Sequence, residues 1–354
     1  MGSDTNSVID LRSDVLAPPT EEMWKAMREV DLGWSMLGED RSVKELEALG
    51  AEMLGKEEAI FVPTCSIANL LTLMTLGKRG TQVVLEAKSH IACLEHWNVA
   101  YICGLFSRLI EGIHGIMSPV TVDEVISEAK YFGLPGTSVV CLENTHNNAG
   151  GTIVTAEQIE NIAEIAHKHG ASLHLDGARL FNAAAALGVP PNSLVDAVDT
   201  VAISLNKGLS APFGALLCGP KEIIDEARIN SHKIGVASIH KDGFLAAAGI
   251  VALTKMIDFL IDDNRRSFQL AKRLAQFPGL YVDLERVQTN IILVETTPSG
   301  ILASEFVTRL AKHNVLVKER VGDYQIRLVT HHLIGDAEVE RVVESVAYVF
   351  DSVL

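Results

Sequence analysis

Positive charge is scarce in this chain: 30 lysines and arginines stand against 45 aspartates and glutamates, for a formal net charge of −15. Affinity for nucleic acid rests on clustered Lys and Arg, so a general phosphate-backbone binder is excluded and no nucleic-acid partner is expected. Cysteine is sparse too. Cys65, Cys93, Cys103, Cys141 and Cys218 are odd in number and contain no CxxC pair, which argues against a disulfide framework and a zinc site and fits a reducing cytoplasm. No cluster of residues calls for a metal, and none is expected. The opening "MGSDTNSVIDLRSD" has neither a basic n-region nor an apolar h-region, so no secretory signal is read from it. No apolar run is read as long enough to span a bilayer, and no membrane partner is expected. Internal repeats and low-complexity tracts are absent as well.

With 354 residues, 48% of them hydrophobic and 21% charged, the chain has a globular profile and is too long for one small core. Two unequal domains are expected. "EEAIFVP" (57–63), "TQVVLEA" (81–87) and "TSVVCLEN" (137–144) read as buried strands between turn signals. Helical patterns alternate with them. "SIANLLTLMTLG" (66–77) has apolar positions on a helical period and a glycine stop, while "TAEQIENIAEIAHKHG" (155–170) opens on a capping box and closes at Gly170. Strand "ASLHLD" (171–176), helix "ARLFNAAAALG" (178–188) and strands "TVAISLNK" (200–207) and "GALLCG" (214–219) follow. This alternation predicts an α/β fold, a mostly parallel sheet covered on both faces, with ligands at the carboxyl ends of its strands. From about residue 221 long amphipathic helices take over, including a connector at 244–276, and a small α+β unit follows. The expected division is an N-terminal arm (1–20), a large domain (21–245), and a connector helix with a small C-terminal domain (246–354). The arm, with "APP" and little periodicity, should pack on something else.

Asp176, in "HLDGARLFNA", and Lys207, in "SLNKGLSAPFG", both fall at strand ends. A lysine there can bond to an aldehyde, and a carboxylate on the neighbouring strand can hold a protonated pyridine nitrogen. Those are two of the anchors that pyridoxal 5′-phosphate requires. "VPTCSIANL" offers the third, because Thr64, Cys65 and Ser66 fall at a strand-to-helix turn where free N–H groups and hydroxyls meet the positive end of a helix dipole. Alone, that turn would be an ordinary helix cap.

Together with "IDLRSD" (9–14), "GED" (38–40), "AIFVPT" (59–64), "SHI" (89–91) near Glu95, "LENTHN" (142–147) and "IRLVTH" (326–331), these stretches resemble the threonine aldolases of the β-eliminating-lyase group, pyridoxal-phosphate enzymes of fold type I. The resemblance runs from about residue 8 to about residue 350. It implies a mostly parallel seven-stranded sheet in the large domain beside a small C-terminal α+β domain. It also implies cleavage of a threonine-like β-hydroxy-α-amino acid to glycine and an aldehyde. The family is commonly tetrameric, so a homo-oligomer with active sites between subunits is expected, the arm and the region of His240 reaching a neighbour. Residue by residue, Lys207 is similar to the lysine that carries the cofactor, and Asp176 to the partner of its ring nitrogen. His90 matches the histidine that stacks on the ring and takes part in proton transfer. Thr64, Ser66 and the Cys65 backbone match the phosphate cradle. Ser13, Arg179 and Arg327 match residues that hold the substrate carboxylate, Arg179 also contacting the cofactor; guanidinium forks suit that task because they make paired hydrogen bonds. His146 reads as structural, Asn144 and Asn147 as turn formers, and Cys65 as a small buried filler.

Four places depart from the family pattern. "SMLG" replaces "DVYG", so Leu37 stands for an active-site tyrosine and Ser35 for an aspartate. Gly133 stands for a histidine that approaches the substrate hydroxyl, and Cys65 for a glycine of the phosphate turn. "GVASIHK" replaces "GGGMRQ", which puts His240 or Lys241 where an arginine reaches the phosphate. With Leu37, Trp34 and Gly133 at its mouth, the pocket should be less polar or roomier, for a substrate bulkier than threonine or for several. Two other readings compete: β-elimination on a related amino acid, marked by released pyruvate and ammonia, and an idle relative acting in binding or assembly. Retention of Lys207, Asp176 and Arg327 together argues against the idle relative.

Overall fold

The computed structural model describes residues 8–351. A short strand β1 (Ile9–Asp10) precedes β2 (Glu58–Val62), β3 (Gln82–Glu86), β4 (Phe106–Ile110), β5 (Thr137–Glu143), β6 (Ser172–Gly177), β7 (Thr200–Ser204) and β8 (Ala215–Gly219). Strands β2 to β8 form one seven-stranded sheet in the order β2-β8-β7-β6-β5-β3-β4. β8 is antiparallel to both its neighbours, and the other pairs are parallel. Strands covered on both faces must be apolar nearly throughout, and every residue of β3, β5, β7 and β8 is buried. The edge strand β4, "FSRLI", is mostly exposed. It lacks the apolar run that signals a buried strand, so the sequence names only the other six.

Helices Cys65–Leu76 and Ala156–Lys168 form as their caps predict. The Thr64 hydroxyl accepts from the Ile67 N–H, and Thr155 and Gln158 make the reciprocal capping box. The connector is helical from Gly243 to Leu274, with a wide turn at Ala252–Met256 and a tight one at Ile257–Phe259. Its first half gives Ala246, Ala248, Leu253 and Leu260 to the core around the large sheet. Its last turns give Leu270, Ala271 and Leu274 to a second core. This helix corrects the expectation that no apolar stretch reaches membrane length, since an 18-residue window in it has a mean hydropathy of 2.0. Half of that window is buried within the protein, and two cores account for its apolar character.

The second core lies behind a sheet of order β11-β12-β9, formed by β9 (Ile291–Glu295), β11 (Lys318–Glu319) and β12 (Gln325–Val329) after β10 (Val315–Leu316). Phe306, Leu310, Val342 and Val346, from the helices Ala303–Ala311 and Asp336–Asp351, fill it. The described part of the N-terminal arm packs here, on its own chain: β1 pairs in parallel with β10, and Ile9 and Leu11 enter the second core. Residues 1–7 of the arm lie outside the described residues.

Candidate active site

The carboxyl ends of β2, β3, β5, β6 and β7 share one edge of the large sheet, and the polar residues singled out above gather there. Asp176, next to last in β6, stands in register with Glu143 of β5. It is 2% exposed and accepts from Asn69 Nδ2 at 2.9 Å, from the Ala178 N–H at 3.1 Å and from the Cys65 thiol at 3.5 Å. Burial pushes its pKa up, but the charges of Lys207 and His90 and the Asn69 amide outweigh burial and hold it below the usual value. It therefore stays an anion. The glycine that follows is needed for closeness: a Cβ on Gly177 would stand 2.8 Å from the Ala202 carbonyl oxygen and 3.2 Å from Leu180 Cβ. Lys207 follows β7 in a tight turn, its carbonyl accepting from the Ser210 N–H at 2.8 Å. Its charge acts on Asp176, Asp14 and Cys65, so its amine belongs to this cluster.

Thr64, Cys65 and Ser66 open the helix Cys65–Leu76, whose first N–H groups have no partner within the helix. Thr64 is exposed and Ser66 half-buried. Cys65 is more than a filler: burial and the neighbouring Asp176 raise its thiol well above the usual pKa, so it stays protonated and donates to Asp176. His90 begins the helix His90–Leu94. Its backbone N–H donates to Glu143 at 2.5 Å and its Nδ1 bonds Glu95 at 2.6 Å. The bond to Glu95 outweighs burial and raises the pKa of the ring.

The arginines are arranged differently from the expectation. Arg179 directs Nε and Nη2 at Asp14, each at 2.7 Å, and both residues are buried. Against the opposing effect of burial, Arg179, Lys207 and Asn290 hold the Asp14 carboxyl at about 2. The side edge of Arg179, Nε with Nη2, thus belongs to Asp14, and the hydrogens of Nη1 with the second one of Nη2 are left for a substrate. Ser13 donates to Asp14 at 3.4 Å. Arg327, on β12, is 7% exposed. Its Nη1 donates to Asn147 Oδ1 at 2.9 Å and its Nη2 to the Arg12 carbonyl at 3.1 Å, while Nε has no partner among the described residues. No described carboxylate pairs with it. Burial and repulsion from Arg179 and Arg320 push its pKa down to about 10. Such a guanidinium is short of one anion.

Three expected pocket residues stand apart from this cluster within their own chain. Gly133 precedes β5, at the amino end of a seven-residue strand whose other end is Glu143. At about 3.3 Å per residue that separates it by roughly 20 Å from the Asp176 edge. Gly133 therefore does not line the site of its own chain. Leu37, in the turn Ser35–Leu37, is 60% exposed. His240 is exposed and meets Trp34 edge-on at 6.4 Å, while the Ser35 hydroxyl donates to Asp242. The two departing segments thus touch each other, and neither Leu37 nor His240 hydrogen-bonds Asp176, His90 or Arg327. A cavity of about 570 Å³ beside them is lined by Ser35, Met36, Asp40, Glu47, Arg228 and Asp242. It contains neither Lys207 nor Asp176, so it is not the candidate site.

Several residues at the site have partners that the sequence did not show. Asp14, Glu143 and Asn147 lie inside stretches quoted above, yet nothing in their spacing shows what they hold. Asn147 is more than a turn former, because it accepts from Arg327 and its N–H donates to Glu143 at 2.8 Å. Asn144 pairs with both backbone groups of Val154. His146 is structural: Nε2 bonds Glu86 at 2.8 Å and Nδ1 accepts from the Ala149 N–H at 3.1 Å. For Asn69 a signal existed, a lone amide one helical turn after Cys65 in an apolar helix.

Residues 10–297 match the family model described as Beta-eliminating lyase. The chain is 36% identical over 334 residues to low-specificity L-threonine aldolase 1 of Arabidopsis thaliana, covering 94% of this chain and 93% of that one. It is 31% identical over 343 residues to the low specificity L-threonine aldolase of Escherichia coli strain K12, covering 96% and 98%. Among solved structures, the Leishmania major threonine aldolase aligns with a TM-score of 0.79 at 18% identity, over 96% of this chain and 99% of that one. That likeness shows the shared fold, in which pyridoxal-phosphate enzymes of fold type I are built.

Proposed function

Since the chain belongs to the threonine aldolase family of β-eliminating lyases, we propose that the strand-end cluster binds pyridoxal 5′-phosphate and cleaves a β-hydroxy-α-amino acid to glycine and an aldehyde. It is a carbon–carbon lyase. The observation that carries this reading is Arg327, a buried guanidinium with no carboxylate partner among the described residues, joined through Asn147 and Glu143 to the strand ends where Asp176 lies. The donors suit the cofactor: Lys207 for its aldehyde carbon, anionic Asp176 for a protonated ring nitrogen, and Thr64, Ser66 and the Cys65 N–H for its phosphate. When bound, the cofactor supplies an electron sink for a bond breaking at Cα.

The chain's own residues decide which bond that is. Arg327, helped by Ser13 and the remaining N–H groups of Arg179, holds the substrate carboxylate and so turns the Cα–Cβ bond into position. The β-hydroxyl must lose its proton as Cβ becomes a carbonyl. His90, with Nδ1 tied to Glu95, keeps Nε2 for moving a proton. A substrate bulkier than threonine belongs to the same proposal and now rests on Leu37 and His240 alone. Trp34 and Leu37 are 47% and 60% exposed, which supports a homo-oligomer, a tetramer in this reading, in which that strip meets another copy. A cytoplasmic location completes it.

A panel of β-hydroxy-α-amino acids of both Cβ configurations, assayed for aldehyde and keto acid in parallel with Lys207→Ala as control, tests the proposal. Aldehyde and glycine should form, with bulkier substrates turned over at least as well as threonine. Keto acid with ammonia would turn the reading to β-elimination, and strong preference for threonine would remove its substrate part.

A further inference from the structure

Behind the cofactor-facing residues lies a continuous buried polar chain. Asn69 sits at its branch point, on the helix Cys65–Leu76, one turn past the cradle residue Cys65. Its Nδ2 donates to Asp176 Oδ2 at 2.9 Å and, shared between two oxygens, to Glu95 at 3.2 and 3.4 Å. Its Oδ1 meets His174 Nε2 at 3.0 Å, and His174 Nδ1 meets Thr200 Oγ1 at 2.9 Å. Asn69, His174 and Thr200 are fully buried. Two carboxylates fix which end of the amide faces them, so Oδ1 must accept from a His174 that carries its proton on Nε2. Nδ1 is then the acceptor for the Thr200 hydroxyl. Burial agrees, pushing His174 down to about 4 and keeping the ring neutral.

Glu95 and Asp176 are both buried and belong, with His90, to a group whose contacting atoms lie within 4.8 Å of one another. Two carboxylates so close tend to share one proton, because neither burial nor mutual repulsion tolerates both charges. Here each is offered a hydrogen of its own by one amide.

We propose that Asn69 is the positioning residue that keeps Asp176 ionised toward the cofactor's ring nitrogen, by separating its hydrogen bonding from that of the Glu95–His90 pair. This rests on the cofactor reading above. The same helix would then set two points of the cofactor: its N-terminus the phosphate, and its second turn the group that faces the ring.

The test compares binding of pyridoxal 5′-phosphate with that of its deaza analogue, in which carbon replaces the ring nitrogen and an anionic Asp176 brings no benefit. Wild-type protein should prefer the true cofactor. Asn69→Leu, similar in size and unable to donate, should lose about tenfold or more of that preference at pH 7, and His174→Phe should lose less. Cofactor-free unfolding curves identify folded variants, and His174→Phe carries the test if Asn69→Leu does not fold. A folded variant whose affinity for both compounds falls equally, or whose preference is unchanged, overturns the role of Asn69. Wild-type protein that binds neither compound overturns the cofactor reading instead.

Discussion

Arg179 and Arg327 are both buried, yet among the described residues only Arg179 meets an acid. That asymmetry divides labour: Arg179 ties the N-terminal arm to the sheet through Asp14, and Arg327 waits for the substrate. Hydrogen bonds to a charged group contribute about 1.5–3 kcal/mol, so Arg327→Gln should raise KM for threonine by about 10- to 100-fold. Cofactor affinity should not change; an unaltered KM, or parallel loss of cofactor, would reject this assignment. His90 yields a prediction about pH. The Glu95 hydrogen bond holds its pKa above the ordinary imidazole value, so in Glu95→Gln the ring should lose its proton at lower pH. NMR titration of the His90 ring would show the midpoint fall, and an unmoved midpoint would mean that Glu95 does not set it.

At the scale of elements, the helix Ala156–Lys168 isolates what a cap contributes. Its capping box lies outside the cluster at the strand ends, so Thr155→Ala should cost about 1 kcal/mol in urea unfolding while leaving kcat/KM unchanged. A loss of turnover with unchanged stability would contradict that separation. That helix was legible in the sequence because its cap and its apolar period agree. So were six strands of the large sheet, since burial on both faces leaves continuous apolar runs such as "SVVCL". The edge strand β4 was not, because exposure removes that signal. Asp176, Lys207, His90 and Arg327 could be named from their stretches. The partners that define their states, Asp14, Asn69, Glu95 and Asn147, come from distant elements, and only the fold brings them together. Gly133 shows the opposite: its family position points to the pocket, whereas a residue before a parallel strand sits at the end of its own chain's sheet away from the site.

Across the whole molecule, two cores share the Gly243–Leu274 helix, and a buried carboxyl marks the region between them. Asp263 is fully buried, with no partner for either oxygen among the described residues. Burial chiefly, opposed by Arg266 and aided by Asp14 and Asp262, raises its pKa to about 7. The folded chain therefore keeps a proton that the unfolded chain releases from about pH 4 upward. Stability falls as pH rises through that window, with the full penalty above about 7. At about 1.4 kcal/mol per pH unit, Asp263→Asn should stabilise the protein by roughly 2–4 kcal/mol at pH 8 and less at pH 5. Denaturant curves at the two pH values check this, and equal effects at both would show that Asp263 does not titrate there. The most direct test of the account as a whole is product stoichiometry from L-threonine with the pyridoxal-phosphate-loaded protein. Cleavage between Cα and Cβ predicts glycine and acetaldehyde in a one-to-one ratio, abolished in Lys207→Ala, whereas 2-oxobutanoate and ammonia in their place would contradict it.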